Sequence, residues 1–171
     1  ALDLKLKNDL SSNPKERSEN IMIVDLVRND LSRFSVPGTV KVSELCEVYP
    51  FKQVHQMIST VESKIENKLS IAEIIKSTFP MGSMTGAPKV KALTIIDDLE
   101  VSRRGLYSGA LGYIDPSGNF DFNVVIRSLI YDENNKYLSF HVGSAITSNS
   151  SPEFEYQECL LKANPMISIL K

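Results

Sequence analysis

The sequence contains no tryptophan and only two histidines and two cysteines. Cys46 and Cys159 stand far apart and form no Cys-x-x-Cys or Cys/His cluster, which excludes a disulfide framework and a zinc site of familiar spacing. They read as reduced thiols of a cytosolic (cytoplasmic) protein. No apolar run is long enough to span a bilayer, and no charged-then-apolar leader is seen. Neither sign of charge prevails: 19 Lys+Arg against 21 Asp+Glu leave a net charge of −2 and a pI near 5.7. That balance lacks the basic footprint of a nucleic-acid or anionic-lipid binder, so a small metabolite is the expected partner. No internal repeat, low-complexity segment or linker stands out. The chain starts at Ala1 in a polar stretch without Met, as if cut from something longer, though Met removal would look the same. What is present is apolar material enough, 42% of 171 residues, for one sizeable core.

The most informative stretch is Phe79 to Leu93, FPMGSMTGAPKVKAL. A helical apolar run, Ile71 to Ile75, stops at Phe79-Pro80. A loop follows with glycines at 82 and 86 and hydroxyls at Ser83 and Thr85. Pro88 opens the next helix, since a proline in the first turn sacrifices no hydrogen bond. Val90, Leu93 and Ile96, with Ala92, Ile95 and Leu99, give that helix an apolar face. The loop thus offers hydroxyls and free N–H groups at a helix N-terminus, chemistry suited to a carboxylate or phosphate. An ordinary tight connection with positive-φ glycines has the same look.

Along the chain, Asn13 reads as an N-cap with Pro14 in the first turn and Glu16 answering the cap. The helix runs to about Leu31, placing Glu19 on one face with Met22, Ile23 and Leu26. A carboxylate on an apolar face calls for a partner or a metal. Pro37-Gly38 turns the chain, Val40 and Val42 begin a strand, and Val54 to Ile65 suggests another. Tyr107–Ile114, Phe120–Tyr131 and Tyr137–Thr147 are separated by DPSGN and DENN turns and read as an antiparallel meander. Alternation puts Phe120, Phe122, Val124 and Ile126 on one face and Arg127 on the more polar one. A last helix begins near Ser150 or Ser151, presents Glu155, Glu158 and Lys162 as one stripe, and ends at Pro165. The expected fold class is α+β, an antiparallel sheet with packed helices.

By residue type alone, Glu19 and Glu158 could hold Mg²⁺, which takes one or two carboxylates and keeps several waters; the acidic stripe reads equally as a solvated salt-bridge face. Arg127 suits a carboxylate through its planar guanidinium, or a cross-strand pair with an acid such as Asp121.

These segments together, GSMTGAPK, ENIMIVDLVRND, RGLYSGALGY, VVIRS, VGSAI and EFEYQECLLKA, resemble the chorismate-utilising enzymes from about Asn13 to Ala163. Their wording is most similar to the aminodeoxychorismate (para-aminobenzoate) synthase branch, component I. The resemblance implies Mg²⁺ on Glu19 and Glu158. It implies substrate contacts from Ser83, Tyr107, Arg127, Lys162 and the backbone of Gly143, Ser144 and Ala145, with Glu155 as a catalytic group near the metal. It also implies chorismate as substrate, and ammonia from a glutamine amidotransferase subunit to give 4-amino-4-deoxychorismate for folate biosynthesis. Anthranilate, isochorismate and salicylate synthases are the alternatives within the family, and a non-catalytic binding domain with the family fold is the alternative outside it.

Three departures stand out. Ala145 replaces a frequent glycine, Gln56 stands where relatives often carry histidine, and neither the Pro-Ile-Lys-Gly-Thr segment nor its general-acid glutamate is present. His55, one position from Gln56, faces the opposite way on a strand and reads as structural. The chain is therefore expected to be the C-terminal portion of a larger two-sheet catalytic domain. Alone it is expected to be inactive, with exposed strand edges able to pair in a homo-oligomer.

Overall fold

Asn13 caps the principal helix as the sequence requires: its Oδ1 accepts from the N–H groups of Lys15 and Glu16 at 3.0 and 3.3 Å. In this computed structural model residues 2–52, 54–66, 69–148 and 150–171 are described. The chain divides into two compact units, Ala1–Glu100 and Val101–Lys171.

In the first unit, α1 (Leu2–Ser12) and α2 (Pro14–Ser32) pack on an antiparallel pair, β1 (Lys41–Pro50) and β2 (His55–Glu62). Helix α1 is an element the sequence patterning did not reveal. Its Asp3 carboxylate meets His55 Nε2 at 2.9 Å. The pairing register slips between Val42 and Glu47, where Cys46 adopts φ 56° and lies buried, the mark of a β-bulge. Cys46 N–H donates to Ser59 Oγ at 2.8 Å. Helix α3 (Ile71–Thr78) starts in a capping box: Ser70 Oγ accepts from Glu73 N–H, and Glu73 reaches back to Ser70 N–H.

A 3-10 turn, Gly82–Met84, then leads to α4 (Lys89–Leu99). Pro88 is the N-cap of α4, one position before the first turn expected for it. The apolar face of α4 is exposed at Val90, Ile95 and Leu99.

In the second unit the α+β, antiparallel character is as expected, but the strands do not form one meander. β3 (Ala110–Ile114) pairs with β4 (Phe120–Val124), and β5 (Ile130–Asp132) pairs separately with β6 (Tyr137–Ser139). The expected long strand Phe120–Tyr131 breaks because Ile126 N–H turns back to Val124 O, a γ-turn that removes it from the ladder. Arg127 follows at φ 49°, so it lies off the strand on which alternation placed it.

Both turns are fixed by Asx bonds: Asp115 accepts from Asn119 N–H, and Asp132 from the N–H groups of Asn134 and Asn135. Helix α5 spans Pro152–Ile169 and passes through Pro165 instead of ending there. The proline deprives only Leu161, on the exposed side, of an N–H partner. Buried Ala163 and Met166 anchor the helix on either side of it.

Candidate functional site

Tyr107, the 141–145 segment and α5 converge in the second unit. Ser108, directly after Tyr107, has φ 69° and is buried. Its N–H donates to Val125 O at 3.0 Å, while Val125 N–H donates to Gly109 O at 2.9 Å. This exchange fixes the chain beside Tyr107. The Tyr107 ring stacks on His141, centroids 5.5 Å apart and planes within 21°. The tyrosine hydroxyl lies so near the Gly143 α-carbon that a Cβ there would be 2.9 Å from it. Only glycine admits that approach without a shift.

From the other side α5 reaches the same turn. Lys162 Nζ donates to Gly143 O at 3.0 Å and pairs with Glu158 Oε1 at 2.6 Å. The Ser144 hydroxyl donates to Glu155 Oε2. Glu155, 4% exposed, is one of three buried polar or charged residues among those described. A buried carboxylate needs such a donor to remain charged. The stripe read from the sequence is therefore not uniformly solvated: Glu155 is buried, Glu158 and Lys162 are half-buried, and the cation is shared between a carboxylate and a backbone carbonyl. Ala145 is exposed, and its carbonyl accepts from Ser150 Oγ at 3.3 Å. Arg127 is exposed in the irregular run after β4, and among the described residues it forms no ion pair with Asp121.

The first unit holds the other expected residues. Glu19 lies on α2 with its carboxylate 3.9 Å from Lys15 Nζ. Ser83 lies in the 3-10 turn and lines a cavity of about 200 Å³ with Thr78, Gly82 and Asp30. A Cβ on Gly82 would come 2.9 Å from Leu26 Cβ, so glycine permits the loop to press on α2. The Thr85 hydroxyl is used locally, donating to Met81 O and Gly82 O. Lys89, the first residue of α4, pairs with Asp30 at 2.5 Å, with side chains 12% and 6% exposed. The cation nearest the expected anion site thus already has a buried partner. A larger groove, about 720 Å³, is lined by Ile21, Met22, Leu26, Asp30, Pro88 and Lys89.

Sequence reasoning did not single out Asp30 or His141. Asp30 had no local signal, since Lys89 is 59 positions away. His141 had a weak one, standing two residues before Gly143 in an extended run and hence on the same side.

For a divalent cation, Glu19 and Glu158 are hard oxygen donors of the kind Mg²⁺ accepts. The Lys162 pair engages Oε1 of Glu158. Among the described residues no group of three His, Cys, Asp or Glu side chains assembles a metal site. No helix among them is long and apolar enough to cross a membrane.

Tyr107, the Gly143 turn and the charged side chains of α5 thus share one region of the second unit. The chain belongs to the chorismate binding enzyme family, whose model matches residues 1–168. It is 46% identical over 157 residues, 92% of its length, to aminodeoxychorismate synthase, chloroplastic, of Arabidopsis thaliana, covering 17% of that protein. It is 42% identical over 169 residues, 99% of its length, to aminodeoxychorismate synthase component 1 of Klebsiella aerogenes, covering 37% of it. Among solved structures, anthranilate synthase component I from Streptococcus pneumoniae TIGR4 superposes with a TM-score of 0.82 at 34% identity, over 96% of this chain and 38% of that one. The chain thus spans well under half of the curated relatives it matches.

Proposed function

We propose that this chain is the chorismate-binding portion of an aminodeoxychorismate synthase, a cytoplasmic enzyme that aminates chorismate to 4-amino-4-deoxychorismate. The observation that supports it most is the convergence of Tyr107, Gly143, Ser144, Glu155, Glu158 and Lys162 within one unit. These residues come from three separate segments whose wording the resemblance had already singled out. Identity of 41–46% to proteins named aminodeoxychorismate synthase supports this branch of the family. The component 1 designation of several of them supports a glutamine amidotransferase partner as the ammonia source.

In this reading the Tyr107 hydroxyl, the Arg127 guanidinium and the backbone N–H groups of Gly143 to Ala145 hold the enolpyruvyl carboxylate. Ser83 offers a hydroxyl to the substrate and Lys162 contributes positive charge beside it. Glu155 orients a water or moves a proton at its carboxylate oxygen. Glu158 and Glu19 are each proposed as Mg²⁺ ligands. Bound Mg²⁺ supplies Lewis-acid stabilisation of the charge that develops as the C4 hydroxyl leaves.

The lysine nucleophile implied by the resemblance belongs to a Pro-Ile-Lys-Gly-Thr segment that these 171 residues do not contain. The isolated chain is therefore proposed to bind ligand without turnover. Calorimetric titration with Mg²⁺ and chorismate tests the reading, with saturable Mg²⁺-dependent binding expected. Absence of binding to the complete enzyme would overturn it. Mass analysis of the product from the complete enzyme, with ammonia supplied, separates amination at C4 from anthranilate formation.

A further inference from the structure

Two neighbouring residues of one turn grip α5 at two points: Gly143 through its carbonyl on Lys162, and Ser144 through its hydroxyl on Glu155. The two α5 residues are seven positions apart, about 10 Å along the helix. A turn held at two such separated points cannot swivel about either bond alone.

The direction of the grip matters. In a trans peptide the carbonyl and the following N–H point to opposite sides. With Gly143 O drawn to Lys162, the Ser144 N–H is aimed away from α5. Among the described residues neither Ser144 N–H nor Ala145 N–H donates to a backbone carbonyl. The Ala145 carbonyl, by contrast, is engaged by Ser150 Oγ. Among the described residues the Ser144 and Ala145 N–H groups thus make no backbone bond while the Gly143 and Ala145 carbonyls are engaged, an arrangement that suits an anion.

We propose that Ser144 and Lys162 are positioning residues which clamp the 143–145 turn to α5, so that its N–H groups stand ready for the ligand's carboxylate. On the turn, Lys162 acts through the Gly143 carbonyl, with Glu158 sharing its charge. This rests on the proposed function above, since the carboxylate is that of chorismate.

The test is a double-mutant cycle in the complete enzyme, measuring calorimetric Kd for chorismate, KM and kcat. Ser144→Ala and Lys162→Met are each expected to raise Kd and KM about tenfold, 1.4 kcal/mol, with kcat changed less than about threefold. Because both act on one turn, the double variant is expected to be no weaker than the weaker single one. Ser144→Thr, which keeps the hydroxyl, is expected to restore wild-type KM. Any variant whose melting temperature shows a folding defect is replaced by Ser144→Gly or Lys162→Gln, under the same expectation of non-additivity.

Additive losses, or a loss confined to kcat, would overturn the clamp while leaving the functional reading intact. Wild-type enzyme that binds no chorismate would overturn the reading itself.

Discussion

The Tyr107 hydroxyl and the Gly143 α-carbon are in such close approach that even one methyl group at position 143 would stand 2.9 Å from the phenolic oxygen. Stacking on His141 restricts how far the Tyr107 ring can retreat. Gly143→Ala in the complete enzyme is therefore expected to displace the tyrosine. KM for chorismate should rise by about tenfold, 1.4 kcal/mol. Steady-state kinetics check this, and a variant with unaltered KM would remove the Tyr107–Gly143 contact from substrate binding.

The Asp30–Lys89 pair closes the 79–89 loop onto α2 in a nearly dry setting. Removing one member of a buried pair strands the other charge, at a cost of about 3 to 5 kcal/mol. Asp30→Ala should lower the urea midpoint accordingly. Asp30→Leu combined with Lys89→Met should recover much of the loss, because no charge is then left buried. If Asp30→Ala left the midpoint unmoved, the pair would have no structural role.

Glu158→Gln in the complete enzyme is expected to lower Mg²⁺ affinity and turnover while leaving the circular dichroism spectrum unchanged. The amide keeps the shape and loses the charge that attracts the cation. Calorimetric titration with Mg²⁺ measures it, and an unchanged magnesium dependence would take Glu158 out of the metal site.

Several carboxylates are held below their ordinary pKa. Hydrogen bonds from the Tyr49 and Thr60 hydroxyls do so for Glu44, those from Ser70 for Glu73, and those from the Asn119 and Asn135 side chains and nearby backbone N–H groups for Asp115 and Asp132. A depressed folded value means that the folded form binds the proton more weakly than the unfolded form. Their stabilisation is fully present above the ordinary values of 4.5 and 3.8 and is lost as pH falls through the lower folded ones. Thermal melts across pH 6 to 3 should show a falling midpoint, and Glu73→Gln should flatten part of that fall. An identical slope in the variant would exclude the α3 cap as a contributor.

The hairpin β3–β4 exposes Leu111, Tyr113, Ile114 and Phe120, and its strands are paired on one side only. Apolar strands with open edges invite pairing with another copy. The 171-residue chain alone is expected to self-associate as its concentration rises, seen by sedimentation velocity. A monomer at all concentrations would show that these edges are protected.

Local chemistry made much of this chain legible from its residues. Asn13-Pro14 dictated the start of α2, DPSGN and DENN dictated the two hairpin turns, and the family wording led to Tyr107, Gly143 and the α5 stripe. Those features depend on neighbours within a few positions, where capping and turn preferences act. Tertiary structure alone decided that the strand after Val124 breaks, so that Arg127 leaves the sheet, because a γ-turn competes with the ladder there. It likewise carried α5 through Pro165 on buried anchors at Ala163 and Met166. It also paired Asp30 with Lys89 across 59 positions and Ser144 with Glu155 across 11, since burial makes a charged group seek whichever partner the fold brings near.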